Sequence, residues 1–238
     1  IDKYFNRSFD VRQKYVYFPL SVDNEKEILF SSPLLTNQFE IIRNIARSLP
    51  IGYKLLVKEH PNQSNHNWRS VTFYKKILNL PNVFPIHPSF STKELFENSS
   101  LVITISGSSG FEAAFFSKPS LLFSSLGYAI LSSVGIVNSF EELSEKIKHF
   151  ISLKIDNNEL CKYISELEKN CFEFDSHGFY DSQKKCFSNY DLNDLHEYNL
   201  KMKSYLEKNS SIFNLLSTEF NKKILQHNGK NKNNGDMK

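Results

Sequence analysis

The sequence is poor in the residues that build metal centres and covalent frameworks. Its 238 residues include only three cysteines, Cys161, Cys171 and Cys186, an odd number without a CxxC pair. Neither a zinc ribbon nor a disulfide scaffold follows from such a set, and reduced thiols are expected. No HExxH or DxD occurs, so no metal site is expected. The GxGxxG and Walker phosphate loops are missing, as is the GxSxG nucleophile elbow. No apolar run reaches the ~18 residues of a membrane span, and no signal peptide is visible. Charge of one sign is scarce too: the formal net charge is +3, which gives no footprint for nucleic-acid binding. No internal repeat is evident. The chain opens on IDKYFNRSFD without an initiator Met, and residues 1–14 read as a lead-in or linker from a missing preceding domain.

What the chain has is core-forming material. Hydrophobic residues make up 40% and aromatics 14%, enough for a packed interior. From Tyr15 to about Leu153 strand and helix signals alternate. Strands are expected at Tyr15–Pro19, Lys54–Lys58, Asn82–Ile86, Leu101–Ile105 and Pro119–Phe123. Helices are expected at Thr36–Leu49, Trp68–Leu78, Thr92–Asn98 with Ser91 as N-cap, and Phe111–Phe116. A further helix carries Phe140, Leu143, Ile147, Phe150 and Ile151, with Ser139 and Glu142 spaced as a capping box. Alternation of this kind predicts an α/β fold, a Rossmann-like doubly wound parallel sheet over residues 15–155. Beyond Asp156 the composition shifts to Lys, Glu, Asn and aromatics. Residues 156–221 read as a helical extension packed on the sheet edge, and residues 222–238 as a disordered basic tail.

Two motifs fall at strand ends, where open α/β sheets bind ligands. The first is VITISGSSGFEAA, Val102 to Ala114. Gly107 and Gly110 allow tight turns and close approach of a ligand. The hydroxyls of Ser108 and Ser109, with N–H groups of the following helix, make an anion site suited to phosphate. A plain strand-to-helix turn built from small residues explains the same string. Glu112, in the first turn of that helix, either complements the helix dipole or accepts hydrogen bonds from ribose hydroxyls. The second motif is Lys58-Glu59-His60-Pro61. Pro61 holds His60 extended, so that its ring reaches the crevice as a donor to a phosphate oxygen. Lys58 adds positive charge if it points the same way. His60 and the Ser108-Ser109 turn are expected to converge on one phosphate, without a divalent cation. His87-Pro88 repeats the His-Pro pair without flanking charge and reads as a loop.

These segments resemble the capsule polysaccharide biosynthesis family of bacterial surface-carbohydrate proteins, which includes Kdo transferases. The matching stretches are YVYFPLS, TNQFEIIRNIARSLPIGYKLLVKEHP, WRSVTFYKKILNLPNVFPIHPS and SLVITISGSSGFEAAFFSKPSLLF, followed by Tyr128 and VGIV. The resemblance implies one half of a GT-B fold, the C-terminal domain that holds a nucleotide-activated sugar. It implies a glycosyltransferase that takes a CMP-Kdo-like donor as substrate and needs no cofactor. By the same resemblance Lys58, His60, Ser106, Gly107, Ser108 and Ser109 bind the donor phosphate, and Glu112 binds ribose. Gln38, Glu59 and Tyr128 are further donor-site candidates, and no catalytic base is assigned. The implied partners are a glycan or glycolipid acceptor and the missing N-terminal Rossmann-like domain. The implied location is cytoplasmic or peripheral at the inner face of the cytoplasmic membrane. One departure falls after the first strand, where Ser21-Val22-Asp23-Asn24-Glu25 stands in place of a His and a Gln-Pro-Glu stretch and only Glu25 matches. A glycerophosphotransferase using CDP-glycerol would share His60 and the serines. A non-catalytic nucleotide- or glycan-binding module is the alternative of another class.

Overall fold

Six runs rich in β-branched, aliphatic and aromatic residues form strands β1 (Tyr15–Pro19), β2 (Lys54–Lys58), β3 (Val83–Ile86), β4 (Leu101–Thr104), β5 (Ser120–Leu122) and β6 (Val134–Ile136). All pair in parallel, in the order β3-β2-β1-β4-β5-β6. The computed structural model describes residues 3–22, 35–66, 68–187 and 195–233. Asp23, Asn24 and Glu25 lie outside the described residues, as does the end of the tail from 234.

Side chains alternate across the sheet and so build two cores. Val16, Phe18, Leu55, Val57, Leu101 and Ile103 face one layer, where they meet Ile41, Ile42 and Ile45 of α1 (Gln38–Ser48), Ile77 of α2 (Val71–Leu78), and Leu143 and Ile147 of α5 (Leu143–Ile151). Tyr15, Tyr17, Leu56, Ile86 and Val102 face the other. There they meet Leu95 and Phe96 of α3 (Thr92–Asn98) and Ala113 of α4 (Ser109–Phe115). The Tyr15 hydroxyl is satisfied by the Leu95 carbonyl at 2.8 Å. The sheet is therefore doubly wound, with helices on both faces. Side-chain caps start three of them: Asn37 for α1, Ser70 for α2 and Ser91 for α3.

Four departures from the sequence expectations have local causes. The lead-in is part of the sheet unit. Asn6 bridges Ile86 in parallel, donating to the Pro85 carbonyl and accepting from the His87 N–H, both at 2.9 Å. Phe5 packs on Tyr74, and Phe9 on Tyr15 and Phe84, so the segment covers an edge that would otherwise present unpaired backbone. Strand β6 was not expected: it has three residues with Gly135 at its centre. That glycine is required because a Cβ there would overlap the Phe150 ring. The sheet unit also extends past 155, to Glu166. The first half of α6 (Asn157–Asn170) packs Leu160 and Tyr163 against Leu122, Tyr128, Leu131 and Val134, and Glu159 accepts from the Ser132 N–H at 2.9 Å.

The fourth departure is in the second unit, residues 167–238. It holds α7 (Ser176–Phe187), α8 (Leu195–Lys208) and α9 (Ser210–Asn233). Ring contacts link Phe174, Phe179, Phe213, Tyr205 and Phe187. Helix α9 continues through Lys222 to Asn233, where a disordered tail was expected. Lys222, Lys223, Ile224, Leu225 and Gln226 are adequate helix formers, and Lys222 pairs with Glu219 at 2.5 Å. Among the described residues no helix is long and apolar enough to cross a membrane.

Candidate functional site

The strand order reverses between β1 and β4. At such a switch point the connections leave to opposite faces, and a crevice opens beyond the carboxyl ends of the strands. A cavity of about 230 Å³ lies there. Its walls are Pro19, Leu20 and Ser21 at and after the end of β1, His60 after β2, and Thr104 with Ser106, Gly107, Ser108 and Ser109 at and after the end of β4. Five of the six residues expected to bind phosphate thus line one cavity. None of the nine lining residues is Lys or Arg.

His60 sits in a turn that fixes its tautomer. The Asn62 backbone N–H donates to Nδ1 at 3.1 Å. In the neutral imidazole Nδ1 is therefore the acceptor, and Nε2 carries the proton and donates. The His60 carbonyl accepts from the Gln63 N–H at 3.0 Å, closing a 3-10 turn over Pro61–His66. Across the cavity, the Gly107 N–H donates to Thr104 Oγ1 at 3.3 Å. A Cβ on Gly107 would stand 2.8 Å from that same oxygen, so the turn needs glycine there. Helix α4 starts at Ser109, two residues before the expected Phe111. The Ser109 N–H therefore belongs to a first helical turn, where intrahelical acceptors run out, while the Gly110 N–H donates to the Gly107 carbonyl at 3.4 Å.

The remaining predicted residues take other places. The Ser108 hydroxyl donates to Glu112 Oε1 at 2.7 Å, so Glu112 stands beside the cavity and holds one of its walls. Lys58 does not line the cavity. It is 5% exposed, and its ammonium donates to the Phe90 carbonyl at 2.7 Å and to the Thr92 hydroxyl, at the entry to α3. Burial lowers its pKa from the ordinary lysine range. Alternation explains the direction: Lys58 shares the sheet face of Leu56, two residues earlier.

Glu59 is fully buried and paired with Arg69, Nε to Oε2, at 3.0 Å. Its Oε2 also accepts from the Tyr74 hydroxyl at 3.0 Å, and its Oε1 from the His60 N–H at 2.8 Å. Gln38 is buried too. Its side-chain amide pairs with both backbone groups of Ser21, Oε1 to N–H and Nε2 to C=O, each at 3.0 Å. Tyr128 donates its hydroxyl to the Gly107 carbonyl at 2.5 Å, and the Phe111 N–H reaches the same hydroxyl. Burial pushes the Tyr128 pKa up, and the charge of Glu112 pushes it the same way. Tyr128 thus staples the serine turn from behind.

Sequence reasoning missed Ser21, Thr104, Gln63, Tyr74 and above all Arg69. The signal for Arg69 was indirect: a glutamate ending a buried strand calls for a cationic partner. His87 repeats the His60 arrangement locally, with its Nδ1 accepting from the Ser89 N–H at 3.1 Å. Among the described residues no group of three His, Cys, Asp or Glu side chains could hold a metal ion.

A doubly wound parallel sheet with helices on both faces and a cavity at its strand reversal is a Rossmann-like unit. The chain belongs to the capsule polysaccharide biosynthesis protein family, whose model matches residues 1–148. Among solved structures, the beta Kdo 2,7 transferase KpsC of Thermosulfurimonas dismutans is 18% identical at a TM-score of 0.43, over 62% of this chain and 44% of that one. The UDP-GlcNAc 2-epimerase of Methanocaldococcus jannaschii is 15% identical at a TM-score of 0.47, over 68% of this chain and 47% of that one. The chain thus spans less than half the length of either structure. No curated protein matches it.

Proposed function

We propose that this chain is the donor-binding half of a glycosyltransferase of bacterial surface polysaccharide synthesis. It takes a sugar activated as a CMP ester, of Kdo type, with the donor phosphate in the cavity between β1 and β4. The observation that carries this reading is the convergence of His60 and the Ser106–Ser109 turn on one cavity at the strand reversal.

The charge of the lining supports a single phosphate. With no Lys or Arg among the described lining residues, the donors are the His60 Nε2–H, the Ser106 and Ser109 hydroxyls and backbone N–H groups, the Ser108 hydroxyl being held by Glu112. Such a set suits the one negative charge of a phosphodiester better than the two of a diphosphate. In transfer, an acceptor hydroxyl attacks the anomeric carbon, the bond to the phosphate oxygen breaks, and the departing CMP gains charge on that oxygen. Donors fixed beforehand around it lower the barrier most where that charge develops. Glu112 receives ribose through the carboxylate oxygen not engaged by Ser108. A second Rossmann-like domain supplies the glycan or glycolipid acceptor site and the catalytic base, and the assembled enzyme works in the cytoplasm at the inner face of the membrane. The reading requires neither metal nor cofactor.

Calorimetric titration with CMP and UMP tests the site. CMP should bind, and His60→Ala should weaken binding about tenfold, the loss expected of a hydrogen bond to a charged group, at unchanged melting temperature. Equal CMP affinity in both proteins would refute the assignment. A glycerophosphotransferase using CDP-glycerol would place a diphosphate in the same cavity, which this lining suits less well. Product analysis separates the two, since one transfers sugar and the other glycerol phosphate.

A further inference from the structure

We infer that Glu59 and Arg69 are positioning residues that lock two rims of the cavity to each other, a role that rests on the reading of this cavity as the donor-phosphate site. The pair is buried, its side chains 0% and 3% exposed. Removing two charges from water is costly, and an apolar pair of similar volume would often serve stability as well. What sets this pair apart is where its remaining hydrogen bonds end.

Glu59 Oε1 accepts from the His60 N–H at 2.8 Å. Arg69 Nη2 donates to the Ser21 carbonyl and, at 3.3 Å, to Gln63 Oε1. The Gln63 N–H in turn holds the His60 carbonyl. On the far side Gln38 grips Ser21 by both its N–H and its carbonyl. The result is one continuous line from Gln38 through Ser21, Arg69 and Glu59 to His60. Both Ser21 and His60 line the cavity. These backbone groups lie at or past the ends of β1 and β2, where the sheet ladder no longer fixes them. The buried pair replaces the ladder there. The His60 ring follows its backbone, because its Nδ1 is tied to the Asn62 N–H of the same turn. The Tyr74 hydroxyl fills a further acceptor position on Glu59 Oε2. The opposed charges cancel, so the device sets geometry without adding net charge to the cavity.

The test uses the whole chain and three variants: the charge-balanced double Glu59→Gln with Arg69→Met, Gln38→Ala, and His60→Ala. Backbone amide hydrogen exchange, CMP titration and thermal melting are read on each. In the double variant the Ser21 and His60 amides should both exchange about tenfold faster, the loss of one hydrogen bond's free energy, while Leu56 stays protected. CMP affinity should fall about tenfold as well. In Gln38→Ala, which leaves no unpaired buried charge, exchange should rise at Ser21 and also at His60 through Arg69. Wild-type CMP affinity in the double variant would overturn the inference. So would a His60 amide that does not move in Gln38→Ala. If His60→Ala alone leaves CMP binding intact, the donor-site reading fails instead, and the exchange results still decide whether the rims are coupled.

Discussion

Gly110→Ala sets two effects of opposite sign against each other. Gly110 is buried in the first turn of α4 and is not in a left-handed conformation. Helix propensity alone would make alanine stabilising there by about 0.5–1 kcal/mol. A Cβ at this position, however, would lie 2.7 Å from both Leu122 Cδ2 and the Tyr128 hydroxyl oxygen. Leu122 is fully buried and Tyr128 nearly so, so neither can swing into solvent. Overpacking of this kind costs about 1–3 kcal/mol. Displacing Tyr128 also breaks its bond to the Gly107 carbonyl, for about 0.5–1.5 kcal/mol. The net expectation is a loss of about 1–3 kcal/mol, which at about 2–4 °C per kcal/mol lowers Tm by about 2–12 °C. Tyr128→Phe removes one of the two clashing atoms. The double variant should therefore be less destabilised than the sum of the singles, by at least about 0.5 kcal/mol. Thermal melts of the four proteins read this cycle. A Gly110→Ala protein more stable than wild type, or strictly additive singles, would refute the close packing of α4 on Tyr128.

Glu112→Gln should weaken CMP binding by about 1.5–3 kcal/mol if the carboxylate holds ribose. A fall in melting temperature of the size of a helix-dipole term, about 0.3–1 kcal/mol, with unchanged CMP affinity would remove it from the site. Burial raises the pKa of Tyr15, Tyr17, Tyr74 and Tyr128. The folded chain then holds these protons more tightly than the unfolded one, so their contribution is full below the ordinary tyrosine pKa of about 10 and is lost as pH rises beyond it. Urea midpoints that stay flat from about pH 9 to 11 would contradict that burial. Lys58 titrates the other way. Its pKa is lowered, so above its folded value the unfolded chain binds more protons, and stability rises with pH toward the ordinary lysine pKa of about 10.4. The stability gap between wild type and Lys58→Met should shift in favour of wild type between about pH 7 and 10; a pH-independent gap would place the ammonium in water.

The sheet was legible because five of its strands are runs of β-branched, aliphatic and aromatic residues bounded by breakers. β6 was not, since Val134-Gly135-Ile136 gains its place only from Phe150 and from pairing with β5. The lead-in was misread because Asn6 pairs with a strand distant in sequence, and periodicity carries no such information. In the candidate site, His60 and the serine turn were found because both follow strands, and parallel sheets place ligands beyond strand ends. Lys58 and Glu59 were assigned by proximity in sequence when parity should have decided. Lys58 follows Leu56 onto the α3 and α4 face, and Glu59 follows Val57 onto the other. Arg69 lies beyond a 3-10 turn whose path no pattern in the sequence specifies.

The pairing of β1 with β4 has a consequence for how the molecule assembles. Val16 lies against Leu101 and Tyr17 against Val102, although β2, β3, α1, α2 and α3 intervene along the chain. Closing so long a loop is entropically costly, and such pairings form late in folding. The cavity walls divide along the same seam, with Ser21 and His60 on one side and Ser106 to Ser109 on the other. A partly folded chain that has only β1, β2 and β3 in place owns half a site and no affinity. Any occupant therefore binds solely after the two halves have joined, and its binding energy RT ln(1 + [L]/Kd) goes entirely to the joined state. In a cell any ligand of this cavity would then act as a folding ligand, protecting the chain from proteolysis more strongly as its concentration rises.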